Sequence, residues 1–306
     1  PYSGFFPGAE DLIQNTSLSP VSQAQISFRP MQSDDLAQAW QLSKDLAWPH
    51  RLEDWEQMFS LGHGMVAITP DDAVIGTILW WAWGSQAACL GMIIVSPAWQ
   101  GHGIGKQLMA LARQALPGYR LHLNATSVGV PLYEKTGFHS TGVIAQHQGN
   151  VSTVPLIPLP EGCRMRPMGS ADLSTICAMD HATLRMDRSA LIELLMNDGR
   201  GIVVDSEKGI LGFSFCRKFG WGQVAGPVIA QDPVFALPML AYWAGTCAGQ
   251  FLRTDIPQDE TVATLLDQWG LLRVGSVVSM TPEPTESTAS TQDTPSCFAL
   301  CSQAFG

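Results

Sequence analysis

The stretch VSPAWQGHGIGKQLM, Val95 to Met109, decides how this chain is read, because three glycines crowd between an apolar run and the start of a helical pattern. Glycine is unfavourable in ordered backbone unless it permits positive φ or the close approach of another group. Gly101, Gly103 and Gly105 fall within five residues, so the chain is making room for something. Upstream, CLGMIIV (Cys89–Val95) is apolar and rich in β-branched residues, and it reads as a buried strand. Pro97 ends it by withholding a backbone donor. Downstream, Leu108, Leu111, Ala112 and Ala115 follow the spacing i, i+3, i+4, i+7 until Pro117 and Gly118 stop the pattern. The predicted order is strand, glycine loop, helix.

A helix N-terminus presents unpaired N–H groups and a partial positive charge, and residues without Cβ let a phosphate come close to them. The ligand this predicts is an anion, most naturally a diphosphate. Two better-known phosphate loops do not fit. A P-loop requires G-x-x-x-x-G-K-[ST]; Lys106 follows Gly105, but Gln107 stands at the hydroxyl position and Gln100 at the first glycine. A Rossmann turn requires G-x-G-x-x-G, and after Gly101 and Gly103 its third glycine would fall at Lys106.

The spacing that does match is V-x-P-x-x-Q/R-G-x-G-x-G/A, filled by Val95, Pro97, Gln100, Gly101, Gly103 and Gly105. It resembles the acyl-CoA signature of the GNAT superfamily of N-acetyltransferases. The resemblance implies acetyl-CoA as co-substrate and no metal. It places Ile93, Ile94 and Val95 along the pantetheine arm, and Gln100, Gly101, His102, Gly103, Ile104, Gly105 and Lys106 around the diphosphate. A second stretch, LHLNATSVGVPLYEKTGF (Leu121–Phe138), resembles the family's next segment, which implies Asn124 at the pantetheine or the loop and Tyr133 near the sulfur. A tyrosine has a chemical reason to be there. The leaving thiolate of a thiol with pKa about 8.5 needs a proton, and a phenol of pKa about 10 can donate one through a short hydrogen bond. Tyr133 is therefore the candidate general acid. His122, two residues before Asn124 on one strand face, is the candidate base, with a water-mediated route as the alternative. By the same resemblance, a backbone N–H near Ile94 or Val95 meets the oxyanion.

At 306 residues, 46% of them hydrophobic, the chain has length and apolar content for two domains of ordinary size. Residues 1–25 are predicted as an N-terminal extension, without the basic n-region and continuous apolar core of a signal peptide. Seven cysteines at irregular spacing form no disulfide framework and no paired metal-ligand motif, so the expected location is the cytoplasm. From Ala73 to Pro97 the chain carries no charge and is long enough to cross a bilayer. Gly84, Ser85 and Gln86 interrupt that stretch as a turn, which predicts a buried hairpin and no membrane span. A net charge of −10 with only five lysines argues against nucleic acid and leans toward a cationic amine.

The chain also repeats itself. RPMQSDDL (Arg29–Leu36) returns as RPMGSADL (Arg166–Leu173), each with Ser then Asp before a helical pattern in the manner of an N-cap. VAITPDDAVIGTILWWAW (Val66–Trp83) corresponds to GIVVDSEKGILGFSFCRKF (Gly201–Phe219), both reading as strand, turn, strand. LRTDIPQDETVATLLDQWGLLRVG (Leu252–Gly275) shadows the Asn124–Gly137 segment, with Gly270 in the place of Gly137. The second copy departs where ligand chemistry would lie. GQVAGPVIAQDPVFALPML (Gly222–Leu240) has Gly226 and Pro227 but not the glycine signature, and Leu266 stands where the first copy has Tyr133.

These readings predict a mixed α/β (α+β) protein of two tandem GNAT-like domains, each a central mixed, mostly antiparallel sheet flanked by helices. Residues 26–158 form the catalytic copy, and 159–306 a degenerate copy without a CoA loop, with a mobile loop near 281–296. In the family, the segment after the first helix walls the acceptor site; here it is LAWPHRLEDWEQMF (Leu46–Phe59), offering Trp48, His50, Glu53 and Asp54 for cation–π and charge pairing. The same pattern also reads as an amphipathic helix with Trp55, Met58 and Phe59 turned inward. The expected activity is transfer of an acetyl group to a primary amine of a small molecule by direct attack in a ternary complex. The alternatives are an acyl-CoA-binding regulatory protein without turnover, or acetylation of a protein N-terminus or lysine. A homodimer is left open.

Overall fold

The structure, a computed structural model, describes residues 26–282 and 294–306. The predicted N-terminal extension (1–25) and the body of the predicted mobile loop (283–293) lie outside the described residues. The fold is mixed α/β with mostly antiparallel strand pairing, as predicted. It divides into two compact units. The first takes in the described residues through Ala82, and then Ala88–Tyr119; the second takes in Trp83–Ala87 and Arg120–Gly306.

In the first unit, strands β1 (Ser27–Pro30), β2 (His63–Ile68), β3 (Val74–Trp83) and β4 (Ala87–Val95) lie side by side in that order. The first three pair antiparallel. The uncharged run from Ala73 to Pro97 is thus a hairpin, with Gly84 at its turn in the left-handed region (φ 71). β3 is buried along almost its whole length, which is why it reads as continuous apolar sequence and not as alternation. Among the described residues, no helix is long and apolar enough to cross a membrane. Helices α1 (Leu36–Asp45), α2 (Leu52–Ser60) and α3 (Ile104–Ala115) complete the unit. The predicted stripe of α3 is its buried face: Leu108, Leu111 and Ala112 are in the core, joined by Met109. Burying each such Leu contributes roughly 1.5–3 kcal/mol.

In the second unit the strand order is β5 (Arg120–Ala125), β12 (Leu272–Thr281), β6 (His139–Asn150), β11 (Phe251–Pro257), β10 (Gly222–Ala230), β9 (Gly209–Phe219), β8 (Arg200–Ser206) and β7 (Arg164–Pro167). A short strand, β13 (Ser296–Ala299), pairs with β10. The helices are α4 (Val130–Glu134), α5 (Leu173–Leu184), α6 (Ser189–Asp198), α7 (Pro233–Thr246) and α8 (Glu260–Gln268). The repeat is interlocked here. β12, from the second copy, lies between β5 and β6 of the first, and β6 lies between β12 and β11 of the second. Compactness therefore draws its line at Tyr119/Arg120, whereas the sequence repeat draws it in the irregular stretch between β6 and β7.

The repeated RPM…SxDL motif proves to be one ion-pair device built twice. Arg29 grips Asp35 at 2.7 Å and 2.8 Å, and Arg166 grips Asp172 at 2.8 Å and 2.9 Å. Each aspartate also accepts the backbone N–H three residues earlier, from Gln32 at 2.7 Å and from Gly169 at 2.8 Å. Within the expected Ser-then-Asp arrangement, Ser33 and Ser170 open short 3-10 turns, and Asp35 and Asp172, directly before α1 and α5, bind the chain entering the helix.

Candidate functional site

The glycine signature forms the start of α3 in the first unit. Gly101 and Gly103 both adopt the left-handed region (φ 82 and φ 80), with open space where a side chain would stand. Gly103 is the residue before the helix, and no side chain caps it. The first N–H groups of any helix lack intrahelical partners, so this end presents an uncapped, positively polarised rim to an anion. The loop braces itself: the Gln100 amide donates to the Val95 carbonyl (3.2 Å), and the His102 ring nitrogen lies 3.0 Å from the Gln100 carbonyl. Gln100 and His102 are thus engaged in loop shape, while Lys106 is exposed on the first turn.

β4 leads into this loop with Ile94 buried and Ile93 and Val95 half-buried, so alternate residues keep one partly open face. Upstream, Met92 takes a left-handed backbone (φ 51), unusual for a bulky residue. The buried Thr77 hydroxyl on β3 donates to its carbonyl at 2.7 Å and supports the kink. Strain of this kind gathers at functional strands. Sequence reasoning missed the pair; the lone hydroxyl within VIGTILWWAW was its one available signal.

In the second unit, β5 shows His122 and Asn124 on its partly exposed face. Burial first, then the guanidiniums of Arg120 and Arg188, hold the His122 imidazole down to about 4, so it is neutral at pH 7. Asn124 was expected at the pantetheine or the loop, but its amide is engaged at both ends within this unit: Nδ2 donates to the Gln303 carbonyl (2.9 Å), and Oδ1 accepts from the Ser279 hydroxyl (2.7 Å). No sequence signal announces Ser279 or Gln303, which lie more than 150 residues from their partner. Tyr133, on α4, is buried, its ring edge-on to Phe138 at 6.2 Å. Burial pushes its phenol above the usual tyrosine value, which keeps the proton on the oxygen.

The expected acceptor wall divides. Trp48 and His50 are half-buried neighbours, ring centroids 5.7 Å apart, and Glu53 is exposed. Asp54 is 2% exposed and does structural work: it accepts the Arg51 backbone N–H (2.8 Å) and the Arg51 guanidinium (2.7 Å), closing the first turn of α2. Trp55 and Met58 are fully buried, so α2 is amphipathic as the competing reading had it. Among the described residues, no group of three or more His, Cys, Asp or Glu could hold a metal ion.

Comparison with known sequences bears on this geometry directly. An acetyltransferase (GNAT) domain family matches residues 38–156, and a second acetyltransferase (GNAT) domain family matches 176–293. The chain belongs to the GNAT acetyltransferases, as a tandem. Over 175 residues the tandem GNAT chain is 27% identical to the uncharacterized N-acetyltransferase YitH of Bacillus subtilis, a match spanning 56% of this chain and 61% of that protein. It is similar in fold to a candidate acetyltransferase of Pyrococcus horikoshii (TM-score 0.72, 19% identity, covering 96% of this chain and 100% of that one). It is also similar in fold to a tandem GNAT protein from the clavulanic acid biosynthesis pathway (TM-score 0.60, 14% identity, 85% and 100%).

The second GNAT copy is filled beside its central strand. Here β10 pairs with β11 only at Gln223–Val224, after which the strands part. β13 fills that opening, pairing with β10 from Val228 to Ala230, while the Leu300 N–H reaches the Asp255 carbonyl of β11 at 2.8 Å. Gly226 is glycine because a Cβ there would drive into the Leu300 carbonyl. The helix that follows, α7, is closed too: Asp232 accepts the Val234 N–H at 2.9 Å, and Pro233 removes a donor.

Proposed function

We propose that the first copy transfers an acetyl group from acetyl-CoA to the primary amine of a small molecule, by direct attack in a ternary complex, in the cytoplasm. The observation that carries this reading is the uncapped start of α3, where Gly101 and Gly103 leave open space before unpaired N–H groups. That cradle fits a diphosphate. Ile93 and Val95, on the open face of β4, and Gly101 to Lys106 would hold the co-substrate, which supplies the acetyl group as a thioester.

Tyr133, kept protonated by burial, would give its proton to the departing thiol sulfur. His122 is a feeble proton acceptor with its pKa near 4, so the amine's proton leaves chiefly through water. A backbone N–H of the kinked β4 would meet the developing oxyanion. Trp48, His50 and Glu53 would face the acceptor, an aromatic and acidic wall suited to an ammonium.

Thermal stabilisation tests the reading. Acetyl-CoA at about 100 times its Kd should add about 2.7 kcal/mol to folding stability. Gly103→Trp, which fills the cradle from a left-handed backbone, should abolish that rise. A wild-type protein that does not respond would sink the proposal.

A further inference from the structure

Three arginines among the described residues are buried: Arg188 at 1%, Arg217 at 5% and Arg253 at 6% exposure. Two have carboxylates. Arg188 meets Asp180 at 2.6 Å and 2.9 Å, and Arg253 meets Asp255 at 2.8 Å. Arg217 has none. Among the described residues its guanidinium donates to two backbone carbonyls, Lys218 at 3.3 Å and Cys301 at 3.4 Å, and lies against the Cys301 thiol, while its buried Nε has no hydrogen-bond partner.

Among the described residues every buried aspartate already holds an arginine: Asp35, Asp54, Asp172, Asp180, Asp205 and Asp255. The thiol beside it, Cys301, is pushed up by burial and stays neutral. Removing a guanidinium from water without an anion is among the most costly acts in folding.

A second guanidinium and an aromatic face lie beside it. Arg217 on β9, Val224 on β10 and Arg253 on β11 lie abreast across the sheet. Both guanidiniums sit over the Phe219 ring, at 5.1 Å and 5.4 Å from its centroid. Trp221, in the turn after β9, is 65% exposed with its ring against Phe251.

We propose that Arg217 binds a small oxyanion, of the carboxylate or phosphate kind, at a site in the second unit formed with Arg253 and Phe219. Planar guanidiniums suit such oxygens because two parallel N–H groups can address them together. The site is independent of the acetyl-transfer reading.

The test is melting temperature against millimolar phosphate and, separately, acetate, with chloride at equal ionic strength as reference. The wild type should show a saturable rise of about 2–4 °C. Gly103→Trp should retain that rise, since its change lies in the other unit's anion loop. Arg217→Met should lose it, while melting no lower than unliganded wild type because an unpaired charge has gone. If Arg217→Met does not fold, Arg217→Lys, which lacks the planar fork, should raise the half-saturating concentration about tenfold. The proposal is overturned by a wild type without a saturable response to either anion, by a response lost in Gly103→Trp, or by one unchanged in both Arg217 variants.

Discussion

The helices that follow the two central strands begin in opposite ways. At α3 the residue before the helix is Gly103, left-handed, uncapped and open. At α7 it is Asp232, whose carboxylate takes the Val234 N–H, with Pro233 next. One element later α8 follows Asp259, which accepts from Thr261 and Val262, while the N–H groups that open α4 go to backbone carbonyls, Val130 to Thr126 and Leu132 and Tyr133 to Gly129. The first copy leaves the start of α3 for something else to satisfy. The second satisfies the start of α7 itself, with an acid that would also repel a phosphate. Backbone donors must be paired in either case, so the caps of the second copy are a gain in local stability.

If that contrast is functional, the largest effect should come from the chemistry of the open copy. Tyr133→Phe should lower kcat by about 100-fold or more with acetyl-CoA binding retained, read by thiol release. Its raised pKa sets the sign on the alkaline side: the acid form is lost only as pH climbs past the ordinary tyrosine range, so kcat should not fall on that account below about pH 10. A variant with unchanged kcat would remove Tyr133 as the acid, whereas a wild type that releases no thiol would favour a binder without turnover.

Next in size is a break of the closed copy. Gly226→Ala sets a methyl against the Leu300 carbonyl and should cost about 1–3 kcal/mol in urea unfolding. Acetyl-CoA affinity, measured on the folded variant, should stay the same. An affinity that falls in step with stability would show that the packing of the second copy shapes ligand binding by the first. Asp232→Ala should cost about 1 kcal/mol, again without effect on affinity; tighter binding, with a second equivalent of acetyl-CoA, would mean that the acid alone had closed this helix.

The smallest effect on rate is expected at His122. Replacement by Gln should change kcat only a few-fold, and no limb near pH 6.5 should belong to it. Stability carries the sign instead. Its pKa is depressed in the folded state to about 4, so the unfolded chain binds the proton more readily, and the His122 contribution is lost as pH falls from about 6.5 toward 4. Wild type should lose more stability than His122→Gln over that interval, and equal losses would remove the burial effect.

What was legible in the sequence was whatever a short window contains. The glycine loop, the stripe of α3, the turn that splits Ala73–Pro97 and the repeated Arg–Asp device all follow from steric, periodic and local hydrogen-bonding rules acting over ten or twenty residues. Asp54 was misjudged within such a window, because carboxylates that close a helix turn and carboxylates that face a ligand share one pattern. Tertiary structure alone decided the rest. The insertion of β12 between β5 and β6, the clamp on Asn124 by Ser279 and Gln303, the filling of the space beside β10 by β13 and the reach of Arg217 to the Cys301 carbonyl all join residues far apart in the chain. Edge backbone groups and buried charges must find partners, but the need is not specific to any one partner, so only the folded chain shows which distant segment meets it and where none does.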